Sequence, residues 1–164
     1  MKILAPVRHS GEVEALVAAG AGEFYCGITP PGWEREFGAA AVHRRSARSA
    51  GVPDLADLGR IVAGARGRPV FAALNAPSYP AGAIARLVEF GRRLVEHEGI
   101  AALIVAGLEL VLALREAGLA SRVHVSSLAT CRNPGAAAFF RELGVARVIL
   151  PRHVTLAEIE ATAI

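Results

Sequence analysis

Cysteine is scarce in this chain and lysine nearly absent, and both scarcities narrow what the protein can be. Cys26 and Cys131 are the only cysteines. No C-x-x-C spacing exists, so neither a zinc knuckle nor a complete iron–sulfur site can be built from this chain alone. In a reducing compartment both are expected as thiols. Lys2 is the only lysine, and every other basic residue is arginine. Basic residues exceed acidic ones by 18 to 15, a surplus spread too evenly to point to nucleic acid. The one local cluster, His43-Arg44-Arg45-Ser46-Ala47-Arg48, reads either as a solvated loop face or as a phosphate-binding segment.

Long apolar runs are also missing. The longest, Ile100 to Leu114, is broken by Gly107 and Glu109 and is too short to cross a bilayer. Met1 to Pro6 runs straight into a strand pattern without the features of a signal peptide, so a cytoplasmic protein is expected, with no membrane partner. Neither G-x-G-x-x-G nor G-x-x-x-x-G-K-[ST] occurs, and the turn after the first strand reads Pro6-Val7-Arg8-His9-Ser10-Gly11. Nucleotide binding therefore has no support. His9, His43, His97, His124 and His153 show no metal-ligand spacing.

What is present is an apolar, globular composition: 53% hydrophobic and 20% charged residues over 164 positions, enough for one domain with a core. A junction recurs in which a helix ends on glycine and a β-rich run follows. Gly20 precedes Glu23 to Cys26, Gly99 precedes Ala101 to Val105, Gly118 precedes Arg122 to Ser126, and Gly144 precedes Arg147 to Leu150. Glycine takes the left-handed conformation past a helix end without a Cβ clash. Two further strands fit at Lys2 to Ala5 and Pro69 to Leu74, which makes six. Ile84, Leu87, Val88, Gly91, Leu94 and Val95 form one helix face, with Arg86, Arg92, Arg93 and Glu96 opposite. Asn133-Pro134 opens another helix, and the Thr155/Glu158 capping box opens one expected to run through Ile164.

Strands alternating with helices through short turns imply an α/β architecture of parallel strands with right-handed crossovers. An open doubly wound sheet and a (βα) barrel both fit. One connection, Gly27 to Pro53, is out of scale; it holds Pro30-Pro31, Trp33, a weak helix-like piece from Trp33 to Val42, and the arginine cluster. It leaves the C-terminal end of a strand, where parallel barrels place their chemistry, so a loop or lid over that face is expected.

The run Glu14 to Gly27 resembles the opening β-α-β of peptidase family U32. So do Leu74-Asn75, His124-Val125-Ser126-Ser127, and the block from Asn133 through Phe139-Phe140, Leu143-Gly144-Val145 and Arg147 to His153, up to Thr155-Leu156-Ala157-Glu158-Ile159. The resemblance covers essentially the whole chain. It implies a parallel (βα) barrel of TIM type, incomplete at about six βα units of eight, with residues 1–164 as one partial barrel domain. It also implies a nominal peptidase, a hydrolase acting at the C-terminal mouth, whose catalytic type is unassigned. The alternative is a non-proteolytic accessory or binding subunit, related to proteins of oxygen-independent ubiquinone or RNA hydroxylation. Those relatives hold an iron–sulfur cluster on cysteines beyond the segment present here, so no cofactor is expected in this chain. Gly22 stands where relatives usually carry aspartate, and His43 where a subgroup prefers asparagine.

Alternation along the fifth strand turns His124 and Ser126 to the barrel axis and Val123 and Val125 to the helices. His124 reads as a general base or anion-binding group, or as a hydrogen-bonded interior histidine. Ser126 is the candidate nucleophile, although no Ser/His/Asp set or nucleophile elbow accompanies it. Tyr25, Asn75, Arg44, Arg45, Arg152 and His153 are candidate substrate-binding residues at strand ends or in the long loop. The four basic ones suggest a cationic mouth for a carboxylate or phosphate, and Asn75 reads equally as a turn cap. Cys26 reads as a small buried hydrophobe. The expected partners are a peptide or small anionic substrate, RNA or a partner barrel subunit, or a second copy across an open barrel edge.

Overall fold

The computed structural model describes residues 2–44 and 51–162. Six strands form one sheet in the order β1-β2-β3-β4-β5-β6. They are β1 (Leu4–Pro6), β2 (Glu23–Gly27), β3 (Val70–Leu74), β4 (Ala102–Val105), β5 (Val123–Val125) and β6 (Arg147–Val148). Every adjacent pair is parallel. Sequential neighbours joined by helices curl into a half-barrel rather than doubling back, so the open doubly wound alternative falls away. Each expected strand is present, most of them shorter than the pattern suggested. The edge strand β6 is only two residues long before Pro151, with β5 its one partner among the described residues.

The helices are α1 (Val13–Ala18), α2 (Trp33–Phe37), α3 (Leu55–Gly64), α4 (Ala83–Glu96), α5 (Leu108–Glu116), α6 (Pro134–Glu142) and α7 (Leu156–Thr162). Gly20, Gly99, Gly118 and Gly144 all have φ between 73° and 90°, the left-handed turn expected at the helix-to-strand junctions. Asn133 caps α6 by accepting the Ala136 N–H at 2.9 Å. The Thr155/Glu158 box is closed in both directions, at 2.7 and 3.3 Å. The continuation of α7 to Ile164 lies outside the described residues.

The main core lies between the convex face of the sheet and the helices. Phe24, Cys26, Val70, Ala72, Leu74, Leu103, Val105, Val123 and Val125 meet Leu58, Ile61, Leu87, Leu94, Leu110, Leu114 and Phe140 there. These side chains are fully or almost fully removed from water, and truncating one such as Leu87 to alanine is worth about 2–5 kcal/mol. Trp33 joins this core, and its indole N–H donates to the Ala40 carbonyl at 2.7 Å. The helix it opens stops at Phe37, short of the Val42 suggested by the sequence.

The described part of the long second connection is tied to the strand ends. Val52 N–H donates to Gly27 O at 2.7 Å and Ala76 N–H to Val42 O at 3.1 Å. The buried His43 ring lies flat against Gly27, where a Cβ would come within 2.6 Å of the imidazole. Only glycine allows that approach. Gly27→Ala is therefore expected to cost about 1–3 kcal/mol, and much less in a His43→Ala background. Urea denaturation of the two single variants and the double variant checks this: strictly additive losses would show that the contact does not anchor the connection.

Candidate functional site

The strands divide their side chains between two unlike surfaces. Odd and even positions alternate, so the residues absent from the helix-facing core line the concave side. There they form two layers, each contributed strand by strand. The lower layer holds Glu23 of β2, Phe71 of β3, Ala102 of β4, His124 of β5 and Arg147 of β6. Two residues further along each strand come Tyr25, Ala73, Ile104, Ser126 and Ile149. This upper layer, with Leu4, Asn75, Ser127 and Leu128, lines an open cleft of about 420 Å³ at the C-terminal ends of the strands.

The lower layer is a connected floor. Arg147 reaches across the concave face to make two hydrogen bonds with the Glu23 carboxylate, at 2.8 and 3.0 Å. Its guanidinium sits 5.3 Å from the centre of the Phe71 ring. His124 meets the same ring edge-on with centroids 4.5 Å apart. Glu23 is nearly sealed, at 7% side-chain exposure, whereas Arg147 keeps 40%. The carboxyl of Glu23 is held below its usual range, first by the Arg147 hydrogen bonds. His124 is 6% exposed and its Nδ1 is buried without a hydrogen-bond partner among the described residues. Burial, with Arg147 beside it, pulls its pKa down to about 4, so the ring is neutral at pH 7.

In the upper layer Ser126 Oγ accepts the Leu128 N–H at 3.3 Å and stands 3.5 Å from Asn75 Nδ2. Asn75 Oδ1 in turn accepts the backbone N–H of Arg44 at 3.1 Å. The long connection thus orients Asn75, and through it the Ser126 hydroxyl. Tyr25, Asn75 and Ser126, proposed separately from the sequence, come together in one cleft, and His124 lies one layer beneath them. Arg44 contributes its backbone, with its side chain exposed, and Arg45 lies outside the described residues. Arg152 and His153 are exposed in the turn after β6 and are not part of the cleft lining. Among the described residues the lining carries no charged side chain.

The chain matches peptidase family U32 over residues 9–163. It belongs to that family. No curated protein gives a match. Among solved structures, the U32 peptidase Mk0906 aligns with a TM-score of 0.70 at 17% identity, covering 99% of this chain and 64% of that one. A 2,3-dimethylmalate lyase of the PEP mutase/isocitrate lyase superfamily, in its trigonal crystal form, aligns at a TM-score of 0.54 and 18% identity. That alignment covers 98% of this chain and 61% of the lyase. At these identities the likeness is one of fold. The chain spans less than two thirds of the length of either structure.

The iron–sulfur clusters of some U32 relatives find no fit among the residues described here. Cys26 and Cys131 are both buried thiols, and Cys26 Sγ faces the Phe71 carbonyl at 3.8 Å. No group of three or more His, Cys, Asp or Glu side chains converges among the described residues. No helix among them is long and apolar enough to cross a membrane.

Sequence reasoning missed the floor pair. Its signal was present: Glu23 and Arg147 are the charged residues at inward positions of β2 and β6, two before Tyr25 and Ile149. A charge on the inner face of a barrel strand calls for a partner on that face.

The floor makes stability pH-dependent with a definite sign. The unfolded chain takes up a proton on His124 near pH 6.5 and the folded one only near pH 4. Stability should therefore fall as pH drops from 6.5 to 4, by up to about 3 kcal/mol. Glu23 adds a second loss only below its ordinary value of 4.5, as pH passes through its depressed folded value. His124→Gln should flatten the upper window and leave the lower one. Denaturation midpoints across pH 3–8 test it, and an unchanged slope above pH 4.5 in the variant would refute the assignment.

Proposed function

We propose that this U32 protein takes a peptide in the cleft at the C-terminal mouth of its strands and acts there as a hydrolase. One observation carries the reading: Tyr25, Asn75, Ser126 and Ser127 bring neutral polar groups, from the ends of three strands, into a cleft whose other described lining residues are apolar, with no charged side chain among them. Peptide groups are neutral, paired donors and acceptors. The Asn75 amide and Ser126 hydroxyl match them, and the apolar wall suits side chains. A carboxylate or phosphate would find no counter-charge among the described lining residues, and its desolvation is costly. Of the two substrate classes suggested by the sequence, the cleft favours the peptide.

The catalytic roles proposed for His124 and Ser126 take a limited form in this geometry. A histidine with a pKa of about 4 is a poor proton acceptor at pH 7. It supports the cleft as a neutral, buried ring. Ser126 Oγ is held by Leu128 N–H and faces Asn75, with no base hydrogen-bonded to it among the described residues, so it orients an amide more readily than it attacks one. This favours one second reading, a subunit that binds peptide without cutting it. An RNA or partner-barrel reading draws no such support from a cleft whose described lining holds no cation.

Fluorescence anisotropy with a fluorescent peptide library, followed by mass spectrometry of the same mixtures, separates these readings. Asn75→Ala and Ser126→Ala should each weaken peptide binding about three- to tenfold, the loss of one hydrogen bond. Cleavage that falls with them supports the hydrolase, and binding without cleavage supports the second reading. Peptide affinity unchanged in both variants would remove the cleft from either.

A further inference from the structure

The Glu23–Arg147 pair joins the second strand to the sixth, with three strands between them. Neighbouring strands lie about 4.8 Å apart, so in a flat sheet β2 and β6 would be separated by about 19 Å. Glutamate and arginine side chains reaching toward each other cannot bridge that span with two hydrogen bonds. The pair exists because the sheet is curled, and its two-pronged geometry rewards one particular curl. Tyr25 and Ile149 sit two residues beyond Glu23 and Arg147 on the same two strands and the same face, and both line the cleft.

We infer that the Glu23–Arg147 pair is a positioning clip that sets the width of the peptide cleft by fixing how far β6 stands from β2. This rests on the reading of the cleft as the peptide site, and it names residues that do not themselves touch the ligand. Three features of the pair support it. It has two hydrogen bonds, at 2.8 and 3.0 Å. Its carboxylate is nearly sealed and accepts a hydrogen bond from no other side chain among the described residues, whereas the arginine also leans on Phe71 in the middle of the floor. Finally, it acts where the sheet is otherwise weakest, because β6 is two residues long and paired only to β5 among the described residues. Val148 packs toward the helices and Ile149 N–H donates to Val125 O at 2.9 Å, so the pair adds the tie that reaches from this strand across the concave side, two residues from Ile149.

Two readouts test the clip, one of which needs no peptide. Spin labels at Ala18→Cys on α1 and Glu142→Cys on α6, both outside the cleft, report the opening between the two flanks of the half-barrel; Cys26 and Cys131 are buried and spared from labelling. Glu23→Gln, which keeps the shape and removes the charge, should lengthen and broaden the interlabel distance distribution and weaken peptide binding about tenfold. Arg147→Lys keeps the charge but loses the fork, so both readouts should fall between wild type and Glu23→Gln. Should Glu23→Gln fold poorly, Arg147→Lys still decides the matter by the same two measurements. A merely structural pair would lower the melting temperature while leaving the distance and the affinity of the folded fraction unchanged, and that result overturns the proposal. So does a widened distance with unaltered affinity in a protein whose binding still responds to Asn75→Ala. If Asn75→Ala has no effect on binding, the peptide-cleft reading fails by itself, and the clip then fails as a positioning device even where the distance responds.

Discussion

Everything in this half-barrel depends on the alternation of strand side chains between a face covered by helices and a concave face. Parallel strands joined by helical crossovers must bury their outer face, and here that face is uniformly apolar, from Phe24 and Cys26 to Val123 and Val125. The inner face is freed from that role. It carries a small apolar cluster of Phe71, Ala73, Ala102 and Ile104, and around it the polar residues Glu23, His124, Ser126 and Arg147. A shift of one residue would exchange the two sets, placing the Glu23 carboxylate of β2, the His124 ring of β5 or the Arg147 guanidinium of β6 under a helix. The register is therefore fixed from both sides.

The two concave layers divide the work. In the lower one, an ion pair and a neutral histidine both lean on the Phe71 ring and form a connected floor. The upper one presents neutral hydrogen-bonding groups to an open cleft. The second connection links fold to site, because the Arg44 backbone holds Asn75 and the His43 ring covers Gly27. In its described part this connection braces the strand ends.

Much of this was legible from residues alone. The glycine junctions, the six strands, the Asn133 cap and the inward direction of His124 follow from local sterics and period-two patterning, which operate over a few residues. U32 membership was carried by motifs such as Asn133 to Ile159, and the family match bears it out. What local pattern could not give was depth and partnership. His124 and Ser126 have the same facing, yet one lies beneath the cleft and the other lines it, a difference set by strand stagger across the sheet. The pairing of Glu23 with Arg147 spans 124 positions and three intervening strands. The burial of Trp33 was not legible from its place in a long loop; its large apolar surface draws it into the core.

The central claim is that the concave mouth, and not the convex helical surface, receives a peptide. Residue-resolved amide shift mapping of the whole chain during titration with a neutral peptide ligand tests it most directly. The account predicts saturable shifts concentrated at Tyr25, Asn75, Ser126 to Leu128 and Ile149, with Glu23 and Arg147 responding from the layer below. Shifts confined to the outer faces of α4, α5 and α6, with these residues unmoved at saturation, would contradict it.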